Sequence, residues 1–311
     1  MKNPHNDDSR RRFLKLVAAL AGGSLLAPRS VLAQREAPNS KAIASTGERL
    51  PTIGMGTSRT FDAAADPDLM ANLAQVLATF FLHGGAVIDS SPMYGSSEQV
   101  IGELLAKTPQ PEKLFSATKV WTDGRESGIR QMEQSRRLWG IESFDLIQIH
   151  NLRDWKVHYE TLIKMKSEGK IRYIGITTSH GRDHDELQSV LKSHAFDFVQ
   201  FSYNIGNRNV ERSLLPLAAE RGIAVIINRP FARGSLFRKT KGRALPDWAA
   251  DFDCASWGQF FLKYAVSHPA VTCAIPATSK VHHMVDNMGA GFGRLPDQSV
   301  RHQMEQYFAS L

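Results

Sequence analysis

Only two cysteines, Cys254 and Cys273, occur in 311 residues. Two cannot make a disulfide framework, so stability has to come from a packed core. No Gly-x-Gly-x-x-Gly follows an apolar run, and Gly54-Met55-Gly56-Thr57 is too short for that dinucleotide-binding fingerprint. No apolar run approaches the roughly 20 residues that cross a bilayer, which excludes a stable membrane anchor. Metal-ligand spacing is missing too. His180, Asp183 and His184 share one polar loop, and the neighbours His282 and His283 face different ways on a helix, so no metal site is expected. Charge of one sign is also scarce. The formal net charge is +7, but residues 1–33 hold six Lys or Arg against two Asp, which leaves +3 for the remainder. With no basic stripe interleaved with aromatics, nucleic acid is excluded as a partner.

What is present begins with Ser9-Arg10-Arg11-Arg12-Phe13-Leu14-Lys15, a short apolar run from Leu16 to Ala27, and Val31-Leu32-Ala33. A positive n-region, a short h-region and small residues at the cleavage site describe a signal peptide. The basic stretch resembles the twin-arginine (Tat) export consensus. That resemblance implies the twin-arginine export machinery as a partner, and a periplasmic or otherwise exported protein after cleavage near Ala33–Gln34. Residues 34–41 are polar and read as a flexible leader. Residues 42–311 read as one domain.

Within that domain a short hairpin is expected from Ala42 to Leu50, turning at Thr46-Gly47-Glu48. Eight short apolar or β-branched runs follow, at residues 51–57, 86–91, 114–120, 144–151, 171–178, 196–203, 223–230 and 271–278. Segments of helical period separate them. Leu69, Leu73, Val76, Leu77 and Phe80 make one apolar stripe that stops at His83-Gly84-Gly85. Ser96 with Gln99 reads as a capping box. Strands alternating with helices indicate a parallel sheet with helical crossovers. Eight such units closed on themselves form a (β/α)8 TIM barrel, with a doubly wound open sheet as the alternative. The connection from Phe231 to Asp253 after the seventh strand is long, carries five basic residues, and reads as a functional lid.

Three strands in succession end in a reactive group: Asp89, Lys119 and His150. Tyr94 follows Asp89 by five residues. Barrel enzymes gather reactive groups at the carboxyl ends of their strands, so these four are expected in one pocket. A free phenol titrates near ~10 and is a poor acid at neutral pH. An ammonium beside it favours the phenolate, so Lys119 is expected to lower the Tyr94 pKa. Asp89 would hold Lys119, and His150 would donate to a substrate carbonyl oxygen. No nucleophile stands next to a base. Reduction of a carbonyl then needs a hydride from outside the protein, hence a nicotinamide cofactor.

The Asp-x-x-x-x-Tyr-Gly stretch ending at Gly95, Thr118-Lys119-Val120 and Asp145-Leu146-Ile147-Gln148-Ile149-His150-Asn151 occur in that order. Ile174-Gly175-Ile176-Thr177, Gln200-Phe201-Ser202-Tyr203-Asn204 and Ile275-Pro276-Ala277-Thr278-Ser279 follow. The series resembles the aldo/keto reductase family. The resemblance implies a (β/α)8 barrel, reduction of aldehydes or ketones, and a catalytic tetrad of Asp89, Tyr94, Lys119 and His150, with Tyr94 as general acid. NADP(H) is the expected cofactor, with NAD(H) possible. The implied contacts are Gly56 and Thr57 in the first-strand loop, Thr177 and Thr178 at the carboxamide, and Gln200 at the nicotinamide face. Asn228 replaces the tyrosine that often stacks on the ring. Arg233 falls at the pyrophosphate, and Thr278, Ser279, Lys280, His283, Asp286 and Asn287 at the adenosine end. Met93, Trp121 and Trp155 are expected to line the substrate pocket, with Arg59 or Phe61 as further candidates, for a partly apolar carbonyl compound. The other readings are an NADP(H)-binding sensor module with little turnover, as in potassium-channel β subunits, and a cofactor-free barrel lyase or epimerase.

Overall fold

Period-two alternation builds the centre of the molecule. The computed structural model describes residues 37–109 and 114–311. The signal peptide expected at 1–33, with its expected cleavage point, lies outside these residues. The eight expected strands are present as β3 (Met55–Gly56), β4 (Val87–Asp89), β5 (Phe115–Val120), β6 (Phe144–Ile149), β7 (Ile171–Thr177), β8 (Phe198–Ser202), β9 (Ala224–Asn228) and β10 (Cys273–Ala274). They pair in parallel and in chain order. Isolated parallel bridges, Ile53 to Ala274 and Gly56 to Ala277, join the last strand to the first. The sheet is therefore a closed (β/α)8 barrel, and the open doubly wound alternative falls away. Gly56 is required at that seam, because a Cβ there would lie 2.7 Å from the Ile275 carbonyl oxygen.

Alternate residues of each strand point inward. Val87, Phe115, Ala117, Leu146, Tyr173, Phe198, Ala224, Ile226, Cys273 and Ile275 fill the interior as one apolar cluster. The other parity, including Ile88, Ile147, Ile149, Ile174, Ile176, Val199 and Ile227, packs against the helices. A hairpin of β1 (Ser40–Ala42) and β2 (Arg49–Pro51) plugs the amino-terminal end, with Ile43 and Leu50 in the inner cluster. It begins at Ser40, so Ser40 and Lys41 are ordered strand rather than flexible leader. Lys41 Nζ donates to the carbonyls of Val266, His268 and Val271 at 2.8, 2.7 and 2.7 Å, which ties the hairpin to the barrel.

The first helix, α1 (Pro67–Leu82), shows how the crossovers form. Asp66 caps it by accepting from the Leu69 amide at 2.9 Å, and Pro67 pre-sets its first turn. Leu73, Val76, Leu77 and Phe80 are buried, each worth ~1.5–3 kcal/mol by area removed from water. Phe61, a pocket candidate by sequence, belongs to the same apolar cluster and is fully buried. The capping box expected for α2 (Ser97–Leu105) does not form. Ser96 Oγ donates to Asp62 Oδ1 and accepts from the Ala64 amide instead, and Gln99 donates to Glu103. The Ala64 amide takes the hydroxyl lone pair that a helix amide would use, and the Asp62 carboxylate fixes the hydroxyl proton.

The remaining helices are α3 (Arg125–Trp139), α4 (Trp155–Ser167), α5 (His184–Ser193), α6 (Leu214–Glu220), α7 (Ser235–Lys239), α8 (Trp257–Ser267), α9 (Val281–Gly289) and α10 (Gln298–Ser310). The long connection after β9, expected as a lid, carries structure of its own. It holds α7 and a 3-10 turn at Asp247–Phe252, and it leans on α10 and the chain's end. Lys239 Nζ sits 4.4 Å from the Phe308 ring centroid, and an Arg243 guanidinium nitrogen donates to the Leu311 carbonyl at 3.3 Å. Both cysteines are free and buried. Burial pushes the Cys254 thiol up to about 11, and raises Cys273 as well. Among the described residues no helix is long and apolar enough to cross a membrane.

Candidate active site

Above the apolar filling, the inward positions turn polar at the carboxyl ends of the strands. Asp89 closes β4, Lys119 stands in β5 opposite Gln148 of β6, and His150 follows β6 directly. Lys119 is fully buried and Asp89 is 2 % exposed. Lys119 Nζ donates to Asp89 Oδ1 at 2.5 Å and to the Ser90 carbonyl at 2.7 Å. Burial alone would lower the Lys119 pKa. The Asp89 charge and its hydrogen bond lead the influences that more than reverse this and hold it above the usual lysine value, so Lys119 is a cation. The second Asp89 oxygen accepts from Gln148 Nε2 at 2.8 Å and Gln200 Nε2 at 3.0 Å.

Tyr94 comes from the loop after β4. Its ring centroid lies 5.4 Å from Lys119 Nζ and 5.9 Å from the His150 ring, which it meets edge-on. The residue is only half-buried, but its phenol end is desolvated. That desolvation raises its pKa, and the pull of Lys119 does not overcome it, contrary to the expected net lowering. Tyr94 therefore holds its proton at neutral pH. His150 is 5 % exposed, and burial followed by the Lys119 charge pushes its pKa well below the usual histidine value. The ring is neutral. Its Nδ1 lies 2.9 Å from Ser91 Oγ, which also accepts from the Met93 amide at 3.4 Å. With the hydroxyl as donor to Nδ1, the ring proton would sit on Nε2, the tautomer that polarising a carbonyl requires.

The structure thus brings Asp89, Tyr94, Lys119 and His150 together. It treats the other expected contacts unevenly. Thr57 donates to the Asp89 carbonyl at 3.1 Å and to Ser90 Oγ at 2.9 Å, so it braces β4 from below. Thr177 Oγ1 accepts from the Asn151 amide at 3.1 Å. Thr178 is 1 % exposed and its hydroxyl has no partner. Asn228 is taken up by protein groups, donating to the Thr178 carbonyl at 3.0 Å and Gln200 Oε1 at 3.3 Å while accepting from Ser202 Oγ at 2.6 Å. It orients Gln200 rather than replacing a stacked ring. Arg233 is exposed, in a 3-10 turn at φ 55°. Thr278 and Ser279 lead into α9, whose amino end has no side-chain cap and whose first residues are flanked by Lys280 and His283. Asn287 is buried in α9. Asp286 is engaged by protein groups, accepting from Ser256 Oγ at 2.7 Å and Gln259 Nε2 at 3.0 Å to tie α9 to α8.

Of the pocket candidates, Met93 stays at the mouth, 40 % exposed. Trp121 is held under the Arg153 guanidinium at 4.7 Å from its centroid. Trp155 is displaced from its expected place. Its Nε1 donates to Glu186 at 3.2 Å and its ring meets His194 edge-on, so it packs between α4 and α5. Ser91, Gln148 and Glu98 were not singled out from sequence. Gln148 was findable, being two residues before His150 and so on the same strand face. Glu98 sits behind β5, 2 % exposed, accepting from Thr118 Oγ1 at 2.5 Å, Ser135 Oγ at 2.7 Å and Trp139 Nε1 at 3.3 Å. Nothing local marks it, because its partners come from β5 and α3.

A nicotinamide dinucleotide fits this donor set. The unpartnered Thr178 hydroxyl suits a carboxamide, and the free amides, Lys280 and His283 at the start of α9 suit a phosphate.

Comparison with known proteins agrees. Methylglyoxal reductase YeaE of Escherichia coli (strain K12) is 29% identical over 249 residues, covering 76% of this chain and 84% of that protein. Aldo-keto reductase str7 of Strobilurus tenacellus is 25% identical over 254 residues, covering 68% and 74%. An aldo/keto reductase from Klebsiella pneumoniae, solved with NADP and acetate, superposes with a TM-score of 0.72 at 23% identity, over 87% of this chain and 95% of that one. The model of the aldo/keto reductase family matches residues 52–305, and the chain belongs to that family.

Proposed function

We propose that this chain reduces a small aldehyde or ketone to the alcohol with NADP(H), using Tyr94 as general acid. The buried Lys119–Asp89 pair beneath a protonated phenol, with a neutral imidazole beside it, carries this reading. When bound, the nicotinamide supplies the hydride. The rest falls to the protein. His150 Nε2–H donates to the carbonyl oxygen and polarises it. Tyr94 passes its proton to the same oxygen as negative charge develops there. Lys119 stabilises the phenolate left behind, and Asp89 keeps Lys119 charged and oriented. Gln148, Gln200 and Asn228 form the frame that aims Asp89. Thr178, Thr278, Ser279, Lys280, His283 and Arg233 are the groups placed to hold the dinucleotide.

The test is NADPH oxidation with methylglyoxal, the substrate in the name of one relative. Tyr94→Phe should lower turnover ~10²–10⁴-fold while leaving NADPH affinity within about twofold. Turnover by the Phe variant equal to wild type refutes the assignment. NADPH binding without turnover of any carbonyl in the parent protein points to a sensor module instead.

Export in the folded state belongs to the same reading, supported by the Ser9–Lys15 motif. Arg10→Lys with Arg11→Lys should keep the protein in the cytoplasm, as followed by cell fractionation. A doubly substituted protein still recovered outside the cytoplasm removes the twin-arginine route.

A further inference from the structure

The mouth of this pocket carries more positive charge than the reaction uses. Arg59 follows β3, His180 and Arg182 follow β7, and Arg229 and Arg233 follow β9. All five therefore stand at the carboxyl end of the barrel, the end that holds Tyr94. Among the described residues, none of these four arginines is in an ion pair with a carboxylate.

Arg229 is the centre of the group. It is half-buried, and its guanidinium bonds His180 Nε2. The His180 amide donates to Ser202 Oγ at 3.2 Å, and Ser202 in turn donates to Asn228. Asn204 Nδ2 holds the Arg229 carbonyl at 3.1 Å. The cation is thus braced through the same frame that holds Gln200 and Asp89. Arg59, His180, Arg229 and Arg233 all have left-handed backbones, with φ of 67°, 68°, 53° and 55°. Non-glycine residues hold that conformation at a cost, and such strain gathers where a site needs it. The mutual repulsion acts on the protonation of the group. Burial, then Arg233, Arg182 and Arg59, depress the Arg229 pKa to about 10, with only Tyr94 opposing. Burial and the charges of Arg229, Arg233 and Arg182 likewise lower His180. A set of like charges with no protein counterion awaits one from a ligand. A dinucleotide pyrophosphate would neutralise roughly two of them, Arg233 among them on the family resemblance. Arg229, close enough to act on the reacting phenol, and Arg182 are left over.

We infer that the physiological substrate is an anionic carbonyl compound, whose carboxylate or phosphate is bound by Arg229 and Arg182 while its carbonyl faces Tyr94 and His150. This rests on the proposed reductase activity and replaces the partly apolar substrate expected from Met93, Trp121 and Trp155.

The purified full-length protein is assayed with NADPH on two matched pairs: succinic semialdehyde against pentanal, and glyceraldehyde 3-phosphate against glyceraldehyde. The charged member of at least one pair should show kcat/KM higher by tenfold or more. The pair that responds tells carboxylate from phosphate. Arg182→Gln and Arg229→Gln should each lower kcat/KM for that charged substrate roughly ten- to hundredfold, the worth of one charge-assisted hydrogen bond. The loss should be at least tenfold larger than for the neutral partner. Calorimetric titration with succinate should show weaker binding to both variants, and NADPH affinity of Arg182→Gln should stay within about twofold of the parent. Equal kcat/KM within both pairs, or equal losses for charged and neutral substrates, overturns the inference while leaving the reductase reading standing. Absence of turnover on all four carbonyls and on methylglyoxal sinks the reductase reading. The succinate titration then still decides whether these arginines bind an anion, and no difference between parent and variants overturns that too.

Discussion

Removing one member of the Lys119–Asp89 pair should harm the fold more than removing both. Asp89 Oδ1 accepts from Lys119 at 2.5 Å, and Oδ2 accepts from Gln148 and Gln200 at 2.8 and 3.0 Å. Asp89→Asn turns one acceptor into a donor. Whichever way the amide lies, it opposes either the ammonium or two glutamine amides. It also leaves a fully buried cation without its counterion, which costs about 3–5 kcal/mol. Lys119→Met strands the carboxylate instead and should cost toward the lower end of that range, because the two glutamine donors remain. The double variant removes both charges of the pair, and methionine fills much of the lysine's volume, so it should lie within about 1–2 kcal/mol of the parent. The sign with pH differs between these proteins. In the parent, the Lys119 pKa is raised, so its contribution is complete below the unfolded value of about 10.4 and is lost as pH rises through the folded one. Without Asp89, burial dominates and the folded pKa falls below the unfolded one. Asp89→Asn should then gain stability as pH rises toward about 10.4, as Lys119 sheds its proton. Urea unfolding followed by tryptophan fluorescence at pH 7 and pH 9 reads all four proteins. A double variant destabilised by the sum of the two singles refutes the reasoning, since it would mean that the charges do not depend on each other.

Three smaller expectations accompany this one. Ser91→Ala should free His150 Nδ1 and loosen the ring's tautomer, lowering kcat by up to about tenfold, the worth of one hydrogen bond, with imidazole nitrogen NMR showing mixed tautomers. The preference for NADPH over NADH should strengthen as pH falls, but only below the ordinary histidine range of about 6.5, since burial, His282 and Lys280 lower the His283 pKa. Kd ratios measured from pH 5 to 8 check this, and a His283→Ala variant should give a flat profile. Burial and Arg301 lower Lys41 to about 8, so the unfolded chain binds the extra proton above that pH and stability should rise with pH from there toward about 10.4. Lys41→Met should abolish that slope in urea unfolding.

The sequence alone determined the barrel and the four central groups. Eight apolar runs at a regular spacing leave little choice of topology, because a parallel strand needs a crossover and a closed sheet has no edge to protect. Asp89, Lys119 and His150 were legible because each ends a strand, and the carboxyl ends of parallel strands share one face of the barrel. Legibility failed wherever a side chain's partner is remote in sequence. Ser96 looked like a cap until the Ala64 amide, thirty-two residues away, claimed its hydroxyl as acceptor. Trp155 looked like a pocket wall until α5 packed beside it. Asp286 looked like a ligand contact until Ser256 and Gln259 occupied both oxygens. The Tyr94 pKa depended on a contest between burial and Lys119, and only the packed pocket decided that burial wins. The four arginines at the mouth come from three separate loops. Their repulsion became a property of the molecule only when barrel closure placed the ends of β3, β7 and β9 on one face, because Coulomb energy depends on distance in space and not along the chain.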